Sequence, residues 1–181
     1  MSYLAVYPVS TTDTPNKVLT HFDDIASTLA ELGVGFQRWQ AAARLEAGAS
    51  EAEIIAAYQQ PIDQLMTERG YTHVDVVSIS NDHPQKAELR AERLDEHRLA
   101  QDHVRFFVAG RGLFNLHIED YVYAVFCEKN DLIAIPGGIA HWFDMGENPH
   151  FVVIRLFNGE EGLAINLTGD TIATGFARLE D

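Results

Sequence analysis

Three histidines, His97, His103 and His141, are the side chains of this sequence best suited to chemistry. The first two lie in E-H-R-L-A-Q-D-H-V-R-F-F at 96–107, and the third ends P-G-G-I-A-H at 136–141. If these segments form neighbouring strands of one small barrel, the three imidazoles can face a common interior. Imidazole suits iron, nickel, zinc and copper, and three of them can hold a catalytic metal while leaving positions open for substrate. The pattern therefore predicts a mononuclear metal site inside a β-barrel.

Strand patterns dominate the chain from residue 103 onward and supply that barrel. The apolar residues change to period two in V-R-F-F-V-A, L-F-N-L-H-I, Y-V-Y-A-V-F-C, D-L-I-A-I-P and F-V-V-I-R-L-F. Turn residues at 110–112, 118–120 and 128–131 predict hairpins between successive strands. A closed antiparallel sheet has no exposed edges and leaves a ligand-sized interior. We therefore predict an antiparallel barrel.

The N-terminal half mixes helix and strand patterns. The clearest helix begins at Ser50, which has capping-box spacing to Glu53 and is followed by an apolar stripe of helical period. Pro61 interrupts the stripe and should kink or divide the helix, because proline lacks the backbone N–H. An earlier helix is predicted at 23–32, with Thr20 as its cap.

Length and composition favour one packed domain. The chain has 181 residues, of which 46% are hydrophobic, so it can bury a proper core. We predict a mainly β domain spanning 1–181, with an α+β N-terminal portion, 1–95, wrapped on the barrel strands of 96–181.

The net charge and the cysteine content argue against certain partners and certain kinds of metal site. The net charge of −14 repels phosphate backbones, so nucleic acid is not an expected partner. A single cysteine, Cys127, excludes an intrachain disulfide and a cysteine-based zinc cage. The sequence has neither a basic and apolar leader nor a run of roughly 18–20 apolar residues, so we expect a cytoplasmic protein without a membrane partner.

Several longer phrases of the chain match a known pattern: D-H-P-Q-K-A-E-L-R-A, V-R-F-F-V-A-G-R-G-L-F, C-E-K-N-D-L-I-A-I-P and H-W-F-D-M-G-E-N-P. They resemble the acireductone dioxygenase family, a cupin family of the methionine salvage pathway, and the resemblance covers nearly the whole chain. It implies a cupin barrel (a double-stranded β-helix) that cleaves 1,2-dihydroxy-3-keto-5-methylthiopentene with O2. The family's iron form gives formate and a 2-keto acid, whereas its nickel form gives formate, carbon monoxide and methylthiopropionate.

The same resemblance implies the cofactor and the partners. The expected cofactor is Fe²⁺, with Ni²⁺ or another divalent transition metal as the alternative. The expected partners are a small-molecule substrate and O2, and the enzyme is expected to be a monomer or a small homo-oligomer.

The metal-binding motif departs from the family pattern. The family reads H-x-H-G-E-D-E-V-R-F-F, whereas this chain reads H-R-L-A-Q-D-H-V-R-F-F. Leu99 stands at the second histidine position and cannot bind a metal, while His103 stands at the glutamate position and can. The expected ligands are therefore three neutral histidines, His97, His103 and His141. Arg105 matches the family arginine near the substrate oxygens; the alternative is a structural ion pair with a carboxylate.

The expected pocket combines apolar residues from several segments. Phe107 and Phe143 would form apolar walls, although both also suit an ordinary core. Leu99 borders the ligand set, and Leu163 stands where the family has a tryptophan that closes the pocket, which implies a reshaped pocket. Of the remaining histidines, His117 lies closest to the motif, and a surface or core role is expected for it.

Two other functions remain open. One is a diverged paralogue or engineered variant with another enolisable or thiol substrate, or with another reaction. The other is a non-catalytic small-molecule-binding cupin in which Leu99 marks a decayed site. His103 favours a retained metal site, because random decay seldom places a competent ligand at a ligand position.

Overall fold

A computed structural model describes residues 1–46 and 48–180 of the chain. The strands within this part are β1 (Tyr3–Pro8), β2 (Lys17–Leu19), β3 (Gly35–Arg38), β4 (His73–Ile79), β5 (His97–Arg98), β6 (His103–Ile118), β7 (Tyr121–Glu128), β8 (Asp131–Ile135), β9 (Ala140–Asp144), β10 (Phe151–Phe157) and β11 (Asn166–Leu167). The helices are α1 (Phe22–Ala30), α2 (Glu51–Ala57), α3 (Gln59–Arg69) and α4 (Lys86–Leu94), with short 3₁₀ helices at Glu160–Leu163 and Ile172–Gly175.

Strand β6 belongs to two antiparallel sheets and joins them. Its first half pairs with β10 and β8, and β4 and β3 extend that sheet on either side. Its second half pairs with β7 and β9 in a sheet ordered β11-β5-β9-β6-β7-β1-β2. The N-terminal strands thus complete sheets whose centre comes from the C-terminal half. The antiparallel architecture agrees with the pattern predicted from the alternating runs.

The hairpin predicted at 110–112 is wrong, because β6 continues through these residues. Gly110 has φ +79°, and the pairing with β10 shifts register two residues earlier, at Val108, between the partners Val152 and Val153. This bulge bends the strand so that it passes from one sheet to the other. A side chain at Gly110 would collide with the backbone of His150 and Phe151. Glycine is therefore used here for a strand bend and not for a chain reversal.

The other two predicted hairpins are present. Glu119 connects β6 to β7 with φ +55°, and Asn130 connects β7 to β8 with φ +78°. Two-residue hairpin turns require such left-handed conformations, and asparagine tolerates them better than most residues.

The helix predicted from Ser50 forms with the predicted cap. Glu53 donates its backbone N–H to Ser50 Oγ at 3.2 Å, and Ser50 donates its backbone N–H to Glu53 Oε1 at 3.4 Å. The helical pattern divides at Tyr58, and Pro61 lies in the first turn of α3. A continuous helix would have pushed the proline ring against the carbonyl of Ala57, so division relieves this clash.

The N-cap of the first helix lies one residue after the predicted position. Helix α1 begins at Phe22 with His21 at the N-cap position and no side-chain cap hydrogen bond, so the assignment of Thr20 as the cap is wrong. Ile25 and Leu29 of α1 are fully buried and join the cluster inside the barrel. Among the described residues, no helix combines the length and the apolar character that crossing a membrane requires.

Candidate active site

The alternation of side chains along β6 turns His103 into the barrel. His103, Arg105 and Phe107 line an interior cavity, whereas Val104 and Phe106 pack in the apolar cluster under α2 and α3. Successive residues of a strand point to opposite faces, and a slip of one residue would have exchanged these two sets. The buried phenylalanine and valine beneath the helices therefore fix the register that places His103 inside.

The other two histidines come from strands β5 and β9. His97 and His141 are direct register partners, and their ring centroids lie 4.6 Å apart. The ring of His103 lies 5.6 Å from that of His141. Residue His141 is also paired with Leu116 on the second half of β6, which ties both ends of that strand to the site. Three strands thus bring the three predicted histidines together.

Backbone carbonyls orient two of the three imidazoles. His97 Nδ1 lies 2.8 Å from the carbonyl oxygen of Asp95, and His141 Nδ1 lies 2.8 Å from that of Ile139. A carbonyl only accepts, so each Nδ1 carries the hydrogen in the neutral ring. The lone pair is then left on Nε2, which is the arrangement that metal-binding histidines use.

His103 has no hydrogen-bond partner at either ring nitrogen, although the side chain is 1% exposed. An unpaired buried polar group is costly and uncommon in a folded protein. A metal ion bound to one nitrogen would satisfy it. This orphaned imidazole beside two pre-oriented ones fits a divalent ion held by three histidines.

All three histidines are neutral at pH 7. Burial lowers the pKa of His141 to about 3. The neighbouring His97 lowers this pKa further, whereas the hydrogen bond to the Ile139 carbonyl acts in the opposite direction. Burial also lowers the pKa of His97, and it holds the pKa of His103 well below 6.5, with Arg105 as the next contribution. Neutral imidazole is the form that binds metals, so the set is ready for a cation.

The three histidines line a cavity of about 80 Å³ together with every other predicted site residue. These are Leu99, Arg105, Phe107, Phe143 and Leu163. The remaining described lining residues are Val77, Ile79, Arg93, Phe114, Phe151, Val153, Arg155 and Ile165. The sequence analysis missed Arg93 and Arg155. Arg155 interrupts the apolar run F-V-V-I-R-L-F in the same way as Arg105 interrupts V-R-F-F-V-A. This shared pattern could have identified Arg155 as a second arginine that lines the cavity.

Arg105 and Arg155 are direct register partners, but they have different polar contacts. Arg155 donates to both carboxylate oxygens of Asp75, at 2.7 and 2.5 Å. Arg105 reaches only the Val104 carbonyl, at 3.5 Å, and its side chain remains partly accessible through the cavity. Its deep position, followed by the charges of Arg155 and Arg93, lowers the pKa of Arg105 to about 9, so it stays cationic at pH 7. Arg155 therefore forms the hydrogen-bonded ion pair with Asp75, while Asp75 acts on Arg105 through its charge alone.

A different set of ligand-type side chains lies outside this cavity. Within residues 1–46 and 48–180, the group of three whose donor atoms all lie within 4.8 Å of one another is Glu96, His117 and Asp170. His117 Nδ1 is 2.6 Å from Glu96 Oε2, and Thr168 donates its hydroxyl to Glu96 Oε1 at 2.7 Å. Both Glu96 oxygens therefore already have protein partners, and the group ties the C-terminal segment to β6. The donor atoms of the three cavity histidines do not all lie within this distance of one another. Their cavity remains our metal candidate because His103, unlike Glu96, has no hydrogen-bond partner among the described residues.

Comparisons with known proteins agree with this architecture. The model of the ARD/ARD′ family matches residues 4–164. An acireductone dioxygenase of Pseudomonas fluorescens (strain Pf0-1) is 69% identical over all of both chains, and one of Pseudomonas syringae pv. syringae (strain B728a) is 68% identical over the same extent.

A solved structure with lower sequence identity to this chain is also an acireductone dioxygenase. The acireductone dioxygenase of Bacillus anthracis, which has a cadmium ion in its active centre, is 28% identical and superposes with a TM-score of 0.79. The match covers 91% of this chain and 97% of that one, and it confirms the predicted cupin fold. The chain therefore belongs to the ARD/ARD′ family, the acireductone dioxygenases, and is a metal-dependent dioxygenase.

Proposed function

We propose that His97, His103 and His141 hold one divalent metal ion and that the enzyme cleaves an acireductone-type enediol with O2, as in methionine salvage. The observation that carries this proposal is the buried His103 ring, which has no partner at either nitrogen and faces two histidines already oriented by backbone carbonyls. We propose Fe²⁺ as the native ion, with Ni²⁺ as the alternative. The cadmium ion in the Bacillus anthracis relative supports a divalent ion at the corresponding centre.

The bound metal would supply a Lewis acid that brings the enediolate and O2 together and carries charge during cleavage. Arg105 would bind the enediolate oxygens. Arg105 lies in strand β6, remains charged at pH 7 and hydrogen-bonds to a backbone carbonyl, so its guanidinium is not occupied by a carboxylate hydrogen bond among the described residues. A preorganised cation in a water-poor cavity stabilises an oxyanion more than the same cation does in bulk water.

The overall reaction needs no oxidant besides O2. An enediol HO–CH=C(OH)–R plus O2 gives formic acid and R–COOH when the bond between the two hydroxyl-bearing carbons breaks. Each of these carbons gains one oxygen atom and is oxidised to a carboxyl group, while O2 is reduced. The two hydroxyl protons remain on the carboxyl groups and are released to water at neutral pH.

The apolar lining would hold the substrate tail and exclude water. Phe107 and Phe143 both line the cavity, as does Leu99, which stands two residues after His97. Leu163 borders the cavity from the 3₁₀ helix. Because leucine is smaller than tryptophan, we propose that the tail pocket is wider here than in relatives that carry the tryptophan.

The altered motif favours a second candidate function. With Leu99 and His103 at ligand positions, the metal would have three neutral ligands and no carboxylate. Such a centre is one charge unit more positive and has one more open position than the family pattern. The second candidate is therefore oxidation of another enolisable or thiol substrate at the same three histidines.

Metal analysis combined with oxygen uptake tests these functions. Purified wild type should carry about one equivalent of metal, and His103→Ala should lose it. Oxygen uptake on an acireductone, with formate as a product, would support the first function. Stoichiometric metal without turnover of an acireductone would overturn it in favour of the second. A protein that takes up neither iron nor nickel would overturn both.

We also propose the wider setting of the enzyme. With a net charge of −14, a phosphate-rich partner is unfavourable, so we propose that it acts on small molecules in the cytoplasm without nucleic-acid or membrane partners. We propose that residues 1–181 act as one cupin domain, as a monomer or small homo-oligomer. Light scattering coupled to gel filtration measures the oligomeric state directly.

A further inference from the structure

Glu96 stands directly before the proposed ligand His97 and is buried outside the cavity. The residue before it, Asp95, provides the carbonyl oxygen that lies 2.8 Å from His97 Nδ1. Glu96 is only 3% exposed and does not line the cavity. Glutamate is almost never fully buried unless its carboxyl group has partners, so the contacts of this group indicate its role.

The carboxyl group of Glu96 joins two other segments of the chain. Oε2 lies 2.6 Å from Nδ1 of His117 in β6, and Oε1 accepts the hydroxyl hydrogen of Thr168 at 2.7 Å. Thr168 directly follows β11 and also donates its backbone N–H to the Glu96 carbonyl at 3.1 Å. Glu96 is therefore attached to β6 on one side and to the C-terminal segment on the other.

The strand that carries His97 is short and needs such attachment. Strand β5 consists of His97 and Arg98, with two register pairs to β11 and one to β9. Strands of globular proteins usually have about five or six residues, so the backbone ladder holds β5 weakly. Arg98 adds a hydrogen bond to the Gly138 carbonyl, but at the exposed surface. The hydrogen bonds of Glu96 are buried and lie next to the ligand.

These hydrogen bonds lie on the side of the sheet opposite the cavity. Leu116 of β6 is the register partner of His141 and is buried in the cluster inside the barrel. Side chains alternate along a strand, so the next residue, His117, points to the outer side, where it meets Glu96. A change at Glu96 would thus move the backbone of His97 without touching the cavity wall.

We propose that Glu96 is a positioning residue for His97. Its hydrogen bonds to His117 and Thr168 fix the backbone of His97 and the Asp95 carbonyl that orients the His97 ring. The inference rests on the proposed role of His97 as a metal ligand. It adds that metal affinity depends on a buried carboxyl group that coordinates nothing and lies outside the cavity.

Nuclear magnetic resonance of metal-free protein labelled with 15N-histidine observes the ring directly. At about pH 8, above the ordinary pKa of histidine, long-range 15N–1H spectra distinguish a ring protonated on Nδ1 from one protonated on Nε2. In wild type, His97 and His141 should both be protonated on Nδ1, because each Nδ1 lies 2.8 Å from a carbonyl oxygen. Glu96→Ala should give a mixture of tautomers at His97 alone. His141 is the internal control, because the Ile139 carbonyl orients its ring.

Metal affinity measures the consequence for the proposed site. Competition with a coloured chelator should show a loss of about tenfold in Glu96→Ala, the scale on which outer partners of metal ligands act. Glu96→Gln should restore most of the affinity, because its amide oxygen still accepts from Thr168. Asp131→Ala is the matched control. Asp131 is 1% exposed and accepts hydrogen bonds from Ser2 and Arg38, but it does not line the cavity, so metal affinity should survive its loss.

Thr168→Val is the milder variant and decides the question if Glu96→Ala does not fold. It removes one hydrogen bond to the Glu96 carboxyl group and nearly keeps the side-chain shape, so it should change His97 in the same direction by a smaller amount. Circular dichroism checks the folding of each variant.

A single Nδ1 tautomer at His97 in the variants would overturn the inference, and so would equal changes at His97 and His141. An affinity loss in Asp131→Ala as large as in Glu96→Ala, or no loss in Glu96→Ala, would also overturn it. If wild type bound no metal, the proposed function would fall. The tautomer measurement needs no metal and would still decide whether Glu96 orients His97.

Discussion

His97 and His141 face each other across β5 and β9 as direct register partners, and the Nδ1 atom of each lies 2.8 Å from the carbonyl oxygen two residues earlier. The backbone therefore orients both rings in the same way. His103 has no such support. In the proposed metal site, the two supported histidines would be oriented before an ion binds, and the ion would supply the partner that His103 lacks.

Replacing His103 by leucine should separate metal binding from folding. We expect His103→Leu to reduce metal content from about one equivalent to near zero, because one of three ligands is lost. The metal-free variant should unfold at a urea concentration at least as high as metal-free wild type, because an apolar side chain removes an unsatisfied buried polar group. Mass spectrometry of bound metal and urea titration measure the two effects. His150→Ala, which changes an exposed histidine outside the cavity, should alter neither.

Replacing Leu99 by histidine should strengthen metal binding. Leu99 lines the cavity two residues after His97, so an imidazole there would face the other three. We expect metal affinity to rise by at least about tenfold, the scale on which even outer partners of metal ligands act. Competition with a coloured chelator measures this change. Leu99→Phe is the control, because it adds a ring that has no nitrogen. An equal gain in metal affinity in both variants would show that coordination by the new imidazole is not the cause.

The stability of the metal-free protein should fall on acidification below about pH 6.5. Burial lowers the pKa of His141 to about 3, whereas an unfolded histidine titrates near 6.5. Between these values the unfolded chain binds a proton that the folded protein does not, so the free energy of unfolding decreases as pH falls. Each such histidine contributes up to about 1.4 kcal/mol per pH unit in this window and nothing above it.

Urea titrations at several pH values test this dependence. The slope of metal-free His141→Asn should be shallower than that of metal-free wild type by about one proton. An unchanged slope in His141→Asn would mean that His141 titrates normally in the folded protein.

Gly110→Ala should destabilise the fold far more than Gly70→Ala. Both glycines have left-handed φ values, +79° and +75°, so the conformational cost of alanine is similar. A Cβ at Gly110 would collide with the backbone at His150, whereas at Gly70 it would meet nothing within 4 Å. We expect about 1 kcal/mol for Gly70→Ala and at least about 3 kcal/mol for Gly110→Ala. Chemical denaturation measures both, and equal losses would contradict the role of the β6 bend.

The sequence was sufficient to predict the antiparallel architecture and eight of the described residues that line the cavity, but not Arg93 or Arg155. Period-two runs predicted strands, and the alternation V-R-F-F placed Arg105 and Phe107 on the same face as His103. The cupin resemblance was confirmed by the comparisons. The metal-ligand roles of the three histidines remain predictions.

Tertiary pairing decided what the sequence analysis did not recover. Gly110 reads as a turn residue in isolation, and only its packing against β10 shows that the strand continues. Strand β5 has only two residues, with two register pairs to β11 and one to β9, and it is too short for any periodicity to predict. Arg155 enters the cavity because Arg105 stands opposite it, a relationship that local sequence does not contain.

The pairing of β1 with β7 has a consequence for folding kinetics. It joins Tyr3 to Phe126, and β4 joins β10 through pairs such as Asp75 with Arg155, so the sheets close through contacts far apart in sequence. Such topologies fold slowly, on the order of milliseconds to seconds, because long loops must close before distant strands gain from pairing. During synthesis, β1 can pair with β2 almost at once, but it leaves the ribosome more than a hundred residues before β7, its partner on the other side, exists.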